Sequence, residues 1–273
     1  RYSYPALLPK VFKLHKKKLA QEMTGWFHRI KPDVVLVNTF PFKIPEEVLT
    51  IPPYGIFNFH NGSLPKYAGN SPVFWQIKNR EAEAVLSVHK MDAHIDTGPV
   101  AFTKSTPISE DDTFGSIQMR LSFHAQKSLK ELLALLAPGM PPLKLTPQFT
   151  AKNAETFNKK PGIGDVSIHW ESQDSRSVIA LINACNPWNN GAATVIRGNQ
   201  VRFVSAKQIQ TAPPPSSPAI TPGTITALDE KNRLRVQCRD GNLVQVDVIS
   251  LSIGFFDALK LENLGIQPGE VFV

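Results

Sequence analysis

In the stretch FNFHNGSLPKYAGNSP, residues 57–72, Asn58 and His60 stand two positions apart. On a strand, residues at that spacing point to one side. Both therefore face one pocket, while Phe57 and Phe59 turn the other way into packing. Asn brings an amide N–H donor, and His brings an N–H whose protonation changes near neutral pH. Two donors aimed at one point suit a carbonyl oxygen that gains negative charge. A third group must set the His protonation state or carry protons, and Asp96 in HIDTGPV, residues 94–100, is the candidate. The Thr97-Gly98-Pro99 turn would fix its backbone. Ile95 beside it is expected to desolvate the carboxyl partly and raise it toward useful base strength. Asp-Thr-Gly is also the triplet of aspartic proteases, but that chemistry needs a second triplet or a dimer in all-β surroundings, and the helical segments here do not fit.

The remaining polar and aromatic candidates read as structural. His89 and His94 flank Asp96, yet their spacing on a strand and loop is poor metal geometry, and no metal site is expected. His15, His28, His124 and His169 fall on surface or helix positions. Phe74 and Trp75 read as core, and Trp188 as packing at a domain junction. Cys185 and Cys238 make neither a disulfide framework nor a zinc quartet, which fits two free thiols in a reducing cytoplasm.

These groups need elements to position them. Residues 11–29 read as an amphipathic helix with Val11, Leu14, Leu19, Met23, Trp26 and Phe27 on one face, ended by Pro32. DVVLVN, residues 33–38, reads as a strand buried on both faces of a parallel sheet. A short helix over EEVLTI leads to the strand GIFNFH, and ligands bind beyond the carboxyl ends of such strands. A helix near 71–79, a strand at 84–91 neighbouring the strand at 55–60, and an edge strand over PVAFTKSTPI follow. A long helix with an acidic start at 109–112 completes an α/β domain with a mainly parallel sheet. The composition changes at PGMPPLKLTPQ, residues 138–148. A strand and helix then run to Asn186-Pro187, and from residue 192 short β-like runs separated by turns predict a small β-barrel, interrupted by the proline-rich loop TAPPPSSPAITPG. The division expected is a catalytic domain over 1–140, a linker over 141–152 and a barrel domain over 153–273.

The net charge of +7 sits in one place. Residues 1–31 hold eight Lys or Arg against Glu22, and the rest of the chain is neutral with 22 of each sign. Such a segment serves either an anionic partner such as a nucleic acid or a solvated helix face. No run of eighteen apolar residues indicates a membrane span, and nothing at the start reads as a signal peptide, so a cytoplasmic protein is expected.

Taken together, NFHNGSLPKYAGNSPVFWQI and SVHKMDAHIDTGPV resemble the folate-dependent formyltransferase family, which includes methionyl-tRNA formyltransferase and the sugar N-formyltransferases. The matching positions are Asn58, His60, Ser63-Leu64-Pro65, Gly69, Pro72 and Asp96-Thr97-Gly98. INACNPW, ending at Trp188, is similar to the segment that opens the C-terminal barrel of methionyl-tRNA formyltransferase. The resemblance implies a Rossmann-like domain with helices on both faces plus an OB-like barrel, and a co-substrate, 10-formyltetrahydrofolate, with no metal. It implies that an acceptor amine, of methionyl-tRNA or of a small molecule, attacks the formyl carbon. Asn58 and His60 would stabilise the oxygen, and Asp96 would keep His60 charged and take the amine proton. The folate would lean on Phe40, Phe42, Lys43 and Ile44, and be closed in by Ile95 and the turn Gly62-Ser63-Leu64-Pro65. Hydrolysis of the formyl group, or a non-catalytic folate-binding module, are the alternatives. Three departures stand out. The family carries further β-α units ahead of residue 33, so the N-terminal part of the domain is expected to be missing. The turn HNGSLP has an extra glycine. An arginine-rich stretch of the tRNA enzymes is here Lys66-Tyr67-Ala68-Gly69-Asn70, which favours a smaller acceptor.

Overall fold

Leu19, Met23 and Phe27 recur at three-to-four spacing, and they form the buried stripe of helix α1 (Leu19–Ile30) in the computed structural model, which describes residues 14–148, 157–210, 220–231 and 233–273. The helix is shorter than the periodicity predicts. Lys16–Lys18 bury nothing and take a single 3-10 turn ahead of it, and residues 11–13 lie outside the described part. Lys31, disfavoured from helical φ/ψ by Pro32, caps α1 in the left-handed region and donates its N–H to the Phe27 carbonyl.

Strand β1 (Val35–Val37) is followed by α2 (Glu46–Leu49) and β2 (Ile56–His60), and β1 pairs parallel with β2. Val35, Val37 and Ile56 pack under α1 with Ile44 and Val48. Leu36, Phe57 and Phe59 join the opposite cluster, with Phe74 and Ile77 of α3 (Pro72–Lys78) and Ile117 and Leu121 of α4 (Phe114–Leu135). Helices thus cover both faces, as expected. β1 itself is half-buried rather than fully buried, because among the described residues it pairs on one side only.

The order is β1-β2-β3-β4, with β3 (Glu83–Lys90) and β4 (Val100–Pro107). The α/β class holds, but the pairing is not mainly parallel: β2–β3 and β3–β4 are both antiparallel. A parallel crossover needs its helix to pack back along the sheet. α3 instead packs chiefly against α6 (Ser175–Cys185) of the C-terminal part, so the chain enters β3 from the end where it left β2.

The expected linker is not free chain at its start. Thr146 exchanges two backbone hydrogen bonds with Val100, both 2.8 Å, and Leu143 and Leu145 pack on the core. Residues 149–152 lie outside the described part, as does most of the proline-rich loop. Beyond a short α5 (Ile163–Val166) and α6 come β5 (Ala192–Ile196), β6 (Asn199–Ile209), β7 (Ile225–Asp229), β8 (Arg233–Gln237), β9 (Leu243–Leu251), β10 (Gly254–Asp257) and α7 (Lys260–Asn263). This sheet is antiparallel in the order β5-β6-β9-β8-β7, with β10 on β9. The chain end closes it. Val273 exchanges backbone bonds with Val195 beside β5, while Ile225 of β7 bonds to Glu270 and Gly269. Both sheet edges are thereby satisfied, which is how a barrel forms. No helix among the described residues is long and apolar enough to cross a membrane.

Candidate active site

At the carboxyl ends of β1 and β2 a cleft of about 510 Å³ opens. Asn58 and His60 line it from β2, and Asp96 reaches it from the loop after β3. The alternation that sends Phe57 and Phe59 into the core delivers the two polar side chains to the other side. Asn58 Nδ2 lies 3.3 Å from Asp96 Oδ1, and His60 Nδ1 lies 3.6 Å from Asp96 Oδ2. The three residues named from sequence are therefore one cluster.

Its surroundings are tightly built. Asp96 sits in the left-handed region at φ +56°, a conformation that costs about 1–3 kcal/mol unless neighbours enforce it. Gly69 donates its backbone N–H to Asp96 Oδ2 at 2.9 Å, and Gln148 donates from Nε2 to the Asp96 and Gly98 carbonyls at 2.9 and 2.6 Å. His60 Nε2 lies 2.8 Å from the Tyr67 carbonyl and donates to it. With Nε2 so engaged, the neutral ring has its lone pair on Nδ1, facing Asp96. Gly62 makes this possible, since a β-carbon there would stand 2.8 Å from His60 Nε2 and 2.7 Å from Pro72 Cβ. The extra glycine of HNGSLP thus leaves room for the imidazole.

A fourth group joins the cluster. His89 is 1% exposed, and its Nε2 lies 3.5 Å from Asp96 Oδ1 and 3.3 Å from Asn58 Nδ2. Its Nδ1 is buried with no hydrogen-bond partner among the described residues. Read from sequence as structural, His89 belongs with the site. The antiparallel register pairs Asn58 with His89 and His60 with Ser87, so both residues of β3 lie beside the pair on β2. Only the spacing Ser87-x-His89, which mirrors Asn58-x-His60, hints at this in the sequence.

Charge follows from these contacts. Burial pushes the Asp96 carboxyl up, but the His89 hydrogen bond, the field of His60 and the Gly69 N–H together outweigh it and hold the carboxyl below the usual carboxylate range. The expected rise does not occur: desolvation is present, and hydrogen bonding wins. Burial is the largest influence on His60 and pushes it below the ordinary imidazole value despite the pull of Asp96 and Tyr67. Burial thus disfavours the charged form of His60, while the hydrogen bonds and charges around Asp96 favour its ionised form.

Phe40, Phe42, Lys43, Ile44 and Ile95 line the cleft. Phe40 and Phe42 meet edge to face at 5.7 Å, and Ile95 is half exposed at the rim. The turn Gly62-Ser63-Leu64-Pro65 does not line it. Ser87 Oγ donates to the Gly62 carbonyl at 2.7 Å and accepts from Leu64 N–H at 3.3 Å, so the turn is drawn onto β3. Its place in the cleft wall is taken by Gly69, Asn70, Ser71 and Pro72, with Phe114 and Gln118 of α4 opposite. Trp188 packs edge-on against Phe74 at 5.6 Å and near Phe114 at 6.2 Å, at the junction of the two parts as expected.

Among known proteins, the family Formyl transferase matches residues 5–133, and Formyl transferase, C-terminal domain, matches residues 164–252. Methionyl-tRNA formyltransferase of Dictyoglomus thermophilum is 31% identical over 233 residues, 85% of this chain and 72% of that protein. HypX from Aquifex aeolicus, solved in complex with tetrahydrofolic acid, shares the fold with a TM-score of 0.61 at 18% identity, over 91% of this chain and 41% of HypX. WlaRD, a sugar 3N-formyl transferase solved in the presence of dTDP and 5-N-formyl-THF, has a TM-score of 0.60 at 17% identity, over 78% of this chain and 71% of its own. This chain spans about two fifths of HypX.

Proposed function

The chain belongs to the formyl transferase family of folate-dependent N-formyltransferases, and from that premise we propose that it passes a formyl group from 10-formyltetrahydrofolate to an amine at the cluster of Asn58, His60 and Asp96. The observation that carries this reading is the approach of three polar side chains to one another at the floor of an apolar cleft. The folate, leaning on Phe40, Phe42, Ile44 and Ile95, supplies an activated acyl group. Asn58, half-buried in the middle of β2, presents its amide N–H groups to a carbonyl oxygen gaining charge. One such donor is worth about 3 kcal/mol of barrier. Asp96, ionised, accepts the proton that the attacking amine must lose. His60 Nδ1, with its lone pair turned to Asp96, shares that proton, and the ring then donates from both nitrogens, to Asp96 and to Tyr67. The resulting imidazolium adds positive charge beside the same oxygen; as the tetrahedral adduct collapses, the bond between the formyl carbon and folate N10 would break and the proton held between His60 and Asp96 would pass to N10, releasing tetrahydrofolate and the formylated amine. Positioning donor and acceptor together accounts for much of the remaining acceleration.

A second acceptor reading rests on Lys66. Its Nζ lies 2.6 Å from Glu81 Oε1, which also accepts from the Tyr67 hydroxyl at 2.6 Å. The cation at the cleft's outer loop is already neutralised, which favours a small amine over a polyanion at that point. The test incubates the protein with 10-formyltetrahydrofolate and either charged methionyl-tRNA, an amino-sugar nucleotide or no acceptor. Transfer to tRNA supports the translation role, transfer to the sugar supports the second reading, and folate turnover without acceptor supports hydrolysis. Absence of folate binding by equilibrium dialysis would remove the reading altogether.

A further inference from the structure

The loop over residues 66–70 is gripped from two sides. On its inner side the Tyr67 carbonyl accepts from His60 Nε2 at 2.8 Å, and the Gly69 N–H donates to Asp96 Oδ2 at 2.9 Å. On its outer side lies Asn158, in the segment that leads into the C-terminal part. The Asn158 N–H donates to the Ala68 carbonyl at 2.8 Å, and the Asn158 carbonyl accepts from the Asn70 N–H at 2.7 Å. Its side-chain Nδ2 donates to the Ala68 and Lys66 carbonyls at 3.2 and 3.4 Å. Successive backbone groups of one loop thus alternate between the reacting pair and Asn158. There is no slack between them: Gly69 has φ +99°, and a β-carbon there would stand 2.5 Å from the Asn158 carbonyl oxygen.

We propose that Asn158 is a positioning residue, setting from outside the loop that orients His60 and Asp96 within. Resting on the formyl-transfer reading for its effect on rate, this makes the connection between the two parts of the chain a component of the catalytic site. The segment is tied down further along. Trp75 Nε1 donates to the Lys159 carbonyl at 3.0 Å, and Lys78 Nζ donates to the Asp165 carbonyl at 2.7 Å. Both donors sit on α3, which packs chiefly against α6. A displacement of the C-terminal part on α3 is therefore passed to Asn158, and from Asn158 to the Tyr67 carbonyl and the Gly69 N–H.

The test reads the imidazole of His60 directly, without substrate, by nitrogen-15 NMR titration, with His60→Ala assigning the signal. Other titratable or charged groups facing the pair are His89 from β3, Lys43 from the segment after β1, and Asp92 and His94 on the loop of Asp96. Lys66, Tyr67 and Glu81 form the loop's own ion-pair cluster. In the wild type the proton held on Nε2 by Tyr67 gives one tautomer. Asn158→Asp replaces two donated hydrogen bonds with a carboxylate facing two carbonyls, and Asn158→Ala deletes them. The expected result is a mixture of tautomers and a His60 midpoint that rises toward the ordinary imidazole value, more for Asp than for Ala, as the loop loosens and water enters. In the assay kcat should fall roughly tenfold for Asn158→Asp, with a smaller change in KM for folate, because only Gly69 and Asn70 of this loop belong to the cleft wall. Should the aspartate variant not fold, the alanine variant gives the same readout. An unchanged tautomer and midpoint in the folded variant overturn the proposal, whatever the enzyme's activity. A moved tautomer in a protein whose wild type transfers no formyl group upholds the positioning and removes the activity reading instead.

Discussion

His89 bears on Asp96 from the side opposite His60, and the two carboxylate oxygens are divided between them. Three outcomes follow for single side chains. His60→Ala should lower turnover by a factor of about a hundred or more, the worth of a proton-transfer group, with circular dichroism unchanged; near-normal rates would take His60 out of the chemistry. Asp96 must be ionised to accept a proton, so the rate should fall as pH drops through its folded value, below the usual carboxylate range. Asp96→Asn should abolish that limb. His89→Phe removes the hydrogen bond that helps hold the carboxyl down, so the limb should move to higher pH; a limb that stays in place would show that His89 does not act on Asp96. The sign for stability is the same. A depressed folded value stabilises the protein above the unfolded value, and that contribution vanishes as pH falls through the folded one. The pairing of Asn58 with His60 was legible because strand alternation is local and fixes which side chains share a face. His89 was not, because its meeting with Asn58 depends on the register between β2 and β3.

At the scale of elements, α4 shows how a boundary can be misread while the element is found. The acidic run at 109–112 reads as the helix start, yet the cap is Thr113, whose Oγ1 accepts from the Ser116 N–H at 3.2 Å while Ser116 Oγ accepts from the Thr113 N–H at 3.0 Å. Asp112 instead pairs with Arg120 and accepts from the Ser116 hydroxyl. Thr113→Ala should cost about 1 kcal/mol of stability, seen as a lower thermal midpoint. Because Phe114 and Gln118 touch the cleft from this helix, kcat should nonetheless hold if the first turn stays wound. A large loss of kcat at unchanged midpoint would mean that the cap serves the site. The same scale explains what composition hid. Periodicity told strand from helix almost everywhere, but it carries no information on strand direction. Parallel pairing was the natural inference from alternating elements, and it failed where a seven-residue helix found α6 to pack on rather than the sheet. The glycine-serine-proline turn reads as a pocket wall because it follows His60 directly; the hydroxyl of Ser87, from another strand, draws it aside.

Over the whole molecule, one apolar cluster runs from Phe57 and Leu86 in the first sheet through Leu181 of α6 to Phe203 and Phe272 in the barrel. Two parts so joined differ from domains on a flexible tether, whose interfaces are small and polar and whose motions are independent. The junction is aromatic: Trp188, donating from Nε1 to the Ala184 carbonyl at 2.6 Å, inserts between Phe74 of α3 and Phe114 of α4. Lys78 lies over the rings of Phe74 and Trp75 at 5.6 and 5.2 Å, and burial pushes its amine below the ordinary lysine value. A core without a seam should melt as one unit, so calorimetry of the wild type should show a single transition with equal calorimetric and van't Hoff enthalpies. Trp188→Ala removes a ring that is 38% exposed, so its cost should fall near the low end for aromatic truncation, about 3 kcal/mol, seen as a lower midpoint of that one transition. Two resolved transitions in the wild type would mean that the parts are energetically separate. In that case the chain from Asn158 to the catalytic loop would have to act alone, without the shared core to hold the C-terminal part against α3.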